Sequence, residues 1–265
     1  MIYFPQLQTG AAAQFPLEKA VAVRTIDCEF ADGSMMRAAD PGARAIHWKL
    51  TYKGLTDSEW EELESCFQTT RGRLKSFCLL DPFDNLLSWS ADPTKPVWTV
   101  APGIELTTGA EDIAGGTTGL VVTNRGATTQ RISQGVDTPG YYQYCWSAYF
   151  RQAGNAQLKM LAETSDGGTW MDVPKSEKWQ RFTMPSSIPG NAESIVFGVD
   201  LPGGATVDIC GLQVDAQPNA SRMRTTRARS GVYPHCRFDQ DELTLHSAGP
   251  NDHATTITII SQLSL

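Results

Sequence analysis

The sequence has 265 residues, enough for two domains, with 22 basic and 29 acidic side chains. A formal net charge of -7 argues against a nucleic-acid binder, because phosphate contacts need clustered Lys and Arg. No run approaches the roughly 18 apolar residues of a membrane helix, and the N-terminus has no signal-peptide pattern. We therefore expect a protein made in the cytoplasm, with no nucleic-acid partner and no membrane insertion.

Two strands are predicted before residue 53. Residues 2–5 form an apolar patch, which fits an edge strand, an arm to a neighbouring subunit or a terminal strand of the chain's own sheet. Residues 21–30 alternate in polarity, Asp32-Gly33-Ser34 is a hairpin-turn signal, and residues 45–52 form another strand.

A helix is predicted to begin after Thr56. Glu59 follows three residues later, which is the spacing of a capping box. Trp60, Leu63 and Phe67 recur at helical spacing, and acidic residues occupy the opposite face. The helix therefore covers an apolar surface.

The helix is followed by an exit and a strand. Arg71 supplies a cation and Gly72 a residue that tolerates the left-handed conformation. Residues 74–80 are predicted as a strand, which Asp81-Pro82 ends.

The capped acidic helix, the Arg-Gly-Arg exit, the Ser-Phe strand and the Asp-Pro-Phe-Asp corner span residues 56–85. This segment resembles the N-terminal domain of distal tail proteins of long-tailed phages and gene transfer agents. The resemblance implies a location in the virion tail and a homo-oligomer, a hexameric ring, that joins the tail tube protein to the hub or tip proteins. The same segment also fits any α+β domain with one covering helix.

The composition changes after residue 88. Residues 91–96 are a linker by their prolines and small polar residues. Short strands without a helix are then predicted at 98–100, 104–107, 119–124, 128–134, 141–151, 157–163, 178–184, 194–200 and 206–215. This spacing is typical of a β-sandwich or jelly roll.

Residues 144–151, 179–183, 211–217 and 224–226 resemble the carbohydrate-binding jelly rolls inserted in phage tail proteins. The resemblance implies glycan recognition, with a host surface glycan as a partner. It also places an acidic residue, here Asp215, on the final strand.

The last strands, at 232–238, 242–246 and 255–260, are predicted to return to the first sheet. The fold class is therefore mainly β with one principal α-helix: an α+β ring-forming domain (residues 1–90 and 231–265) with an inserted β-sandwich (91–230).

A basic run precedes these last strands and consists of Arg222, Arg224, Arg227 and Arg229. It is either a solvated crossing between the domains or a patch that docks an acidic neighbouring subunit.

Signals for chemistry are few. The sequence has no Gly-x-Ser-x-Gly elbow, and its four histidines stand in no local motif, so we expect no catalytic residue and no enzyme. The six dispersed cysteines have no Cys-x-x-Cys pair, and His235 beside Cys236 is not a zinc pattern. We expect free thiols, no metal and no cofactor.

Aromatic residues are the one binding signal, because the C–H faces of sugars pack on flat rings. Residues 164–170 resemble the aspartate box of sialidase hairpins with Trp170 one position early, and predict a tight hairpin in which Trp170 either packs beneath the loop or stacks on a sugar. The candidates for carbohydrate binding are Tyr149, Arg151 and Trp170, whereas Trp146 and Trp179 are expected to be buried.

The sequence therefore predicts a non-enzymatic distal tail ring protein with an accessory role in host glycan adhesion. The alternative is a free-standing carbohydrate-binding lectin or carbohydrate-active enzyme.

Overall fold

A computed structural model describes residues 1–263, except for the side chain of residue 41. The chain forms two compact units: unit 1 comprises residues 1–8, 12–80 and 233–265, and unit 2 comprises residues 9–11 and 81–232. In chain order the elements are β1 (Leu17–Glu29), β2 (Met35–Leu55), α1 (Asp57–Thr70), β3 (Phe77–Leu80), β4 (Trp98–Val100), β5 (Ile104–Ala110), β6 (Gly119–Asn124), β7 (Gln130–Asp137), β8 (Tyr144–Arg151), β9 (Leu158–Thr164), β10 (Gly167–Val173), β11 (Gln180–Ser186), β12 (Ser194–Leu201), β13 (Thr206–Asp215), β14 (Val232–Phe238), β15 (His246–Gly249) and β16 (Asp252–Gln262).

Unit 1 contains a six-stranded sheet with the order β1-β2-β16-β14-β3, and β15 pairs with β16. Its core is rich in aromatic rings, among them Trp48, Tyr52 and Phe238, which are almost fully buried. The Tyr52 hydroxyl donates a hydrogen bond of 2.6 Å to the Ala12 carbonyl, and burial raises the pKa of this phenol. The core therefore contains a phenol whose polar end is satisfied.

The helix α1 begins as predicted. The Thr56 side chain accepts a hydrogen bond from the Glu59 amide, and Glu59 accepts one from the Thr56 amide, so the capping box is confirmed. The end of the helix differs from the prediction: Arg71, not Gly72, is the C-cap residue and adopts a left-handed conformation with φ 54°. Gly72 follows with φ 57°, so two successive residues make the turn.

The N-terminal apolar patch packs in the core of unit 1. Phe4 is 1% exposed, and its amide donates to the Cys78 carbonyl while the Cys78 amide donates to the Ile2 carbonyl. Of the three interpretations of residues 2–5, this pairing matches a terminal strand in the chain's own sheet.

A long hairpin extends from the sheet of unit 1. β1 pairs with β2 from Leu17↔Leu50 to Glu29↔Met35, but β16 pairs with β2 only up to the Gln262↔Ala45 position. Between Ala22 and Arg24 the register shifts, so residues 41–44 of β2 fall outside the pairing with β1, and the Arg44 carbonyl accepts the Leu263 amide. Beyond this shift, residues 24–29 pair with residues 35–40, and we call residues 23–40 the hairpin ribbon. Three ion pairs link directly opposite residues on the two strands: Glu18–Lys49, Arg24–Asp40 and Asp27–Arg37.

Unit 2 is a β-sandwich of two antiparallel five-stranded sheets, with the orders β10-β9-β12-β7-β4 and β11-β8-β13-β6-β5. Trp146 on β8 and Phe197 on β12 meet between the sheets with ring centroids 6.3 Å apart. The Trp146 indole N–H donates to the Gly198 carbonyl. The predicted mainly β fold class with one helix is confirmed.

Some local predictions are wrong. The tight hairpin predicted at residues 164–170 is confirmed, but its second strand, β10, is missing from the predicted strands. The turn is Ser165-Asp166 alone, and Gly167 and Gly168 already pair with β9. Residues 242–245 are not a strand, since side chains such as Gln240 satisfy the neighbouring β16 amides. β3 begins at Phe77, after a turn through Leu74.

The six cysteines are free thiols, and five of them are buried while Cys28 is exposed. Trp146 is buried as expected, but Trp179 lies half-exposed before β11. Within residues 1–263 no helix is both long and apolar enough to cross a membrane.

The capping box predicts a specific pattern of stability. Glu59 accepts the Thr56 amide and also the Gln8 amide, each at 2.9 Å. Replacement of Thr56 by Ala should lower the free energy of unfolding by about 1 kcal/mol, whereas Thr56→Ser should change it little. Glu59→Ala leaves two amides unpaired and should cost about 2 kcal/mol or more. Urea denaturation measures these differences, and equal midpoints for Glu59→Ala and Thr56→Ser would contradict the role of the box.

A loop of unit 2 predicts a pH dependence. The Asp112 carboxylate accepts the Thr118 hydroxyl and the amides of Ala114, Gly116 and Thr118, with the Thr118 hydroxyl contributing most, and its pKa falls from 3.8 to about 2. Because the folded pKa lies below the unfolded one, this stabilisation is present above about pH 4 and is lost as the pH falls through about 2.

In Asp112→Asn the Tm should therefore decrease less between pH 4 and pH 2 than in the unsubstituted protein. Thermal unfolding at a series of pH values measures this slope. Identical slopes would mean that the Asp112 carboxylate does not contribute in this way.

Candidate functional site

Tyr149 and Arg151 lie on the outer face of the sheet β11-β8-β13-β6-β5. Tyr149 is opposite Arg181 on β11 and Cys210 on β13, and the Arg181 guanidinium carbon lies 5.6 Å from the centre of its ring. Tyr149 is half-buried. One face of its ring is therefore already occupied by a cation.

The Arg151 guanidinium group forms an ion pair and also stacks on an aromatic ring. Its Nε donates to Asp208 at 2.9 Å, and its guanidinium carbon lies 4.7 Å from the centre of the Trp179 ring. An ion pair and a stacked ring hold this side chain within unit 2, so little of it is left for a ligand.

The segment after β13 covers this face. The Arg181 guanidinium donates to the Ser221 carbonyl at 2.6 Å, and the Arg224 amide donates to the Gln213 side chain at 2.7 Å. Asp215 is fully buried and accepts hydrogen bonds from Gln213 and Ser221. Burial and the nearby Asp215 raise the pKa of the Cys145 thiol to about 11. The outer face of β8 and β13 is therefore a packed internal layer.

Trp170 lies on the other sheet. It is opposite Leu161 on β9, which is opposite Gly198 on β12, which in turn is opposite Ser133 on β7. Directly paired residues share one face of a sheet, and the alternate residue Phe197 points into the sandwich core. Trp170 therefore projects from the outer face, where its side chain is 67% exposed.

A row of alternating charges runs beside Trp170. In register across the sheet, Asp172 is opposite Lys159, Lys159 is opposite Asp200, and Asp200 is opposite Arg131. Arg131 donates to Asp200 at 2.6 Å and to Glu163 at 2.5 Å. These two carboxylates, Asp200 first, raise the pKa of Arg131. We call the surface formed by Trp170, Asp172, Lys159, Glu163, Asp200 and Arg131 the Trp170 face.

The structure therefore separates the three candidates from the sequence. Tyr149 and Arg151 share one sheet, whereas Trp170 lies on the other. Sequence reasoning missed Asp172 because β10 is not among the predicted strands, although it forms the second strand of the predicted hairpin. It also missed Arg131 and Asp200, although their outward positions on β7 and β12 follow from the period of two in each strand.

The Trp170 face combines a flat apolar ring with fixed hydrogen-bonding groups. This combination suits a ligand that has an apolar face and a rim of hydroxyl groups, because the ring covers the face while the carboxylates accept from the hydroxyls. In the described part of the chain, His, Cys, Asp and Glu form no group of three or more that is placed to hold a metal ion.

No protein-family model and no curated protein sequence matches the chain. Its structural neighbours are carbohydrate-binding jelly-roll domains and a phage tailspike domain. The CBM22-1 xylan-binding domain from Paenibacillus barcinonensis aligns at TM-score 0.42 with 22% identity over 52% of this chain and 97% of the domain. TmCBM61 in complex with beta-1,4-galactotriose aligns at TM-score 0.38 with 14% identity over 49% of this chain and 97% of that module.

The enzymatically active domain of bacteriophage CBA120 tailspike protein 4 aligns at TM-score 0.41 with 10% identity over 52% of this chain. The match spans only 22% of that tailspike chain. At TM-scores below 0.5 and identities below 25%, these likenesses show no function of this chain.

Substitutions on the outer faces of the two sheets of unit 2 should differ in their effect on stability. Arg151→Ala leaves Asp208 without its partner and Trp179 without its stacked cation, so the free energy of unfolding should fall by about 1–2 kcal/mol. Trp170→Ala removes an exposed ring and should change it by no more than about 0.5 kcal/mol. Chemical denaturation of both variants measures the two values. A larger loss for Trp170→Ala than for Arg151→Ala would show that Trp170 serves the fold.

Proposed function

We propose that this protein is a structural component of a phage virion that assembles into a ring at the distal end of the tail, where it joins the tail tube to the hub or tip. In this proposal unit 1 makes the ring, and unit 2 contributes accessory adhesion to a host surface glycan through the Trp170 face. The partners are other copies of this chain, tail tube and hub proteins, and the glycan. No catalytic step is part of the proposal.

The observation that carries the assembly proposal is the hairpin ribbon. β1 is the edge strand of its sheet, and among the described residues the first part of β2, residues 35–40, pairs with β1 and with no other strand. Apolar side chains on or beside the ribbon are more than 40% exposed: Val21, Val23, Ile26, Phe30, Met35 and Met36. Such an edge normally pairs with another strand, because its unpaired amides and carbonyls are a template for association.

The hairpin ribbon is built to keep its shape outside the sheet. An isolated two-stranded hairpin is marginally stable in water. Here backbone pairing from Arg24↔Asp40 to Glu29↔Met35 orders it, and the ion pairs Arg24–Asp40 and Asp27–Arg37 add a smaller contribution. At the tip the Asp32 carboxylate accepts the Ser34 amide at 2.9 Å. The Ser34 hydroxyl and amide lower the pKa of Asp32. A braced ribbon with exposed apolar residues fits an arm that packs against a neighbouring copy.

The assignment to a phage tail is supported by the resemblance of residues 56–85 to distal tail proteins. The capping box at Thr56 and Glu59 is formed, and at the corner the Asp81 carboxylate accepts the Phe83 amide at 2.8 Å. Both features belong to the sequence motif that carries the resemblance.

Glycan adhesion is supported by the exposure and setting of Trp170. A tryptophan that is 67% exposed buries little apolar area in the folded chain, so its stability contribution is small, yet it can stack on a sugar ring. Single sugar contacts are weak, but a ring would present several copies to one surface. Linked sites gain avidity without any new contact.

Val23→Asp tests the assembly. Val23 is 71% exposed on the hairpin ribbon, so the fold of one chain should tolerate a charge there, whereas a buried interface should not. We expect the unsubstituted protein to form a ring of about six copies by size-exclusion chromatography with light scattering, and Val23→Asp to form monomers. Val97→Asp is the matched control, because Val97 is also exposed but lies in unit 2.

Two results would contradict the proposal. A monomeric protein over the whole concentration range would favour the free-standing lectin, which needs no self-association. Equal loss of oligomers in Val23→Asp and Val97→Asp would mean that the hairpin ribbon is not the interface. Electron microscopy of intact particles with a labelled chain then tests the position in the tail.

A further inference from the structure

A pocket lies at one end of strand β10, beyond Trp170. It has a volume of about 290 Å³ and is lined by Asn155 and Gln157 from the β8–β9 connection and by Asp172 and Lys175 from β10 and the residues after it. Four side chains with amide, carboxylate and ammonium groups thus meet at one cavity. Ligand pockets usually begin at about 300 Å³, so this volume suits one small ring and not a large cofactor.

Hydrogen bonds of Gln152 join the two segments that line the pocket, the β8–β9 connection and the residues after β10. The backbone amide of Gln152 donates to the Ser176 carbonyl at 2.7 Å, and its side-chain amide donates to the Ala156 carbonyl at 3.2 Å. Gln152 is 3% exposed, so these bonds are shielded from water. Because both walls are held by one buried residue, the pocket is formed before any ligand arrives, which lowers the entropic cost of binding.

The pocket is continuous with the Trp170 face. Asp172 belongs to both, and it lies two residues after Trp170 on the same strand. Residues two apart in a strand point to the same side and are about 7 Å apart. A ring stacked on Trp170 and a ring in the pocket would therefore be adjacent units of one chain.

The charges around the pocket decide between neutral and acidic ligands. Asp172 lines it, and Lys175 forms an ion pair with Glu177 at 3.3 Å. Along the Trp170 face, Arg131 is already paired with Asp200 and Glu163. Lys159 lies opposite Asp172 in register, so the pocket and the Trp170 face together carry four carboxylates (Asp172, Glu163, Asp200 and Glu177) and three cations (Arg131, Lys159 and Lys175). An acidic sugar would therefore meet a net negative charge. A carboxylate accepts well from two neighbouring hydroxyls of a neutral sugar.

We propose that this pocket is a second sugar subsite and that the ligand is a neutral oligosaccharide spanning Trp170 and the pocket. One pyranose ring stacks on Trp170. The next ring enters the pocket, where Asp172 accepts from its hydroxyls and the amides of Asn155 and Gln157 bond the remaining ones. The inference rests on the glycan-adhesion part of the proposed function and adds to it the class of ligand and the residues of a second contact.

The test uses the full-length protein and isothermal titration with xylotriose, cellotriose and chitotriose as neutral probes, their monosaccharides, and sialyllactose as the acidic probe. We expect at least one neutral trisaccharide to bind more tightly than its monosaccharide and than sialyllactose. Trp170→Ala should weaken that binding about ten- to hundred-fold, the range expected for loss of an aromatic contact. Asp172→Asn and the double variant Asn155→Ala/Gln157→Ala should each weaken it about tenfold.

Glu105→Gln is the matched control for Asp172→Asn. Glu105 is an exposed carboxylate on β5, in the other sheet, and its substitution should leave the affinity unchanged. Amide hydrogen exchange of the unsubstituted protein gives a readout that needs no variant. The bound trisaccharide should slow exchange in residues 152–157 and 172–176.

The outcomes separate this inference from the proposed function. Binding by none of the probes at millimolar concentration would overturn glycan adhesion itself, and this inference with it. Trisaccharide binding that is lost in Trp170→Ala but unchanged in the pocket variants would overturn the subsite and leave adhesion standing. Tighter binding of sialyllactose than of every neutral probe would overturn the class of ligand.

Discussion

The double pairing of β2 is the constraint on which unit 1 depends. Leu50 is opposite Leu17 of β1 on one edge and opposite Ile257 of β16 on the other, and Trp48 is opposite Lys19 and Ile259 in the same way. A one-residue slip on either edge would turn buried residues such as Trp48 out to solvent. The register is therefore set by residues about 200 positions apart along the chain.

The same strand has two roles because its two halves have different neighbours. The second half of β2 lies between β1 and β16 and supplies core residues. Residues 35–40 pair with β1 and, within the described chain, with no other strand, and they include the exposed Met35 and Met36. Cross-strand ion pairs replace core packing there. Surface ion pairs contribute little each, roughly 0–1 kcal/mol, so the hairpin ribbon is ordered more by strand pairing than by charge.

Unit 2 uses its two outer faces in opposite ways. One is sealed by the segment after β13, which gives Asp215, Gln213 and Arg181 hydrogen-bond partners inside the protein. The other leaves Trp170 exposed beside a row of paired charges. A sealed polar layer is costly to disturb, since each unpaired group costs about 1–3 kcal/mol, whereas the exposed face tolerates change. Selection for binding is thus freer to act on the Trp170 face.

Local signals in the sequence were sufficient for elements whose cause is local. The capping box at Thr56 and Glu59, the alternation in β8 and the mainly β class with one helix follow from neighbouring residues. The hairpin at residues 164–170 is also local, but β10 is missing from the predicted strands, because Gly167 and Gly168 have low strand propensity and become strand only by pairing with β9. Arg71 takes the left-handed conformation assigned to Gly72, because the position of a helix end depends on packing as well as on propensity.

The sequence by itself determined the helix and most of the strands, since period and capping are properties of adjacent residues. Only the tertiary structure decided what each face does. Tyr149, Arg151 and Trp170 look alike in the sequence, but Tyr149 packs against Arg181, Arg151 is held by Asp208 and Trp179, and Trp170 is 67% exposed. The exposure of a side chain on the outer face of a sheet depends on which distant residues pack against it. Neither the spacing of residues nor their strand propensity encodes those contacts.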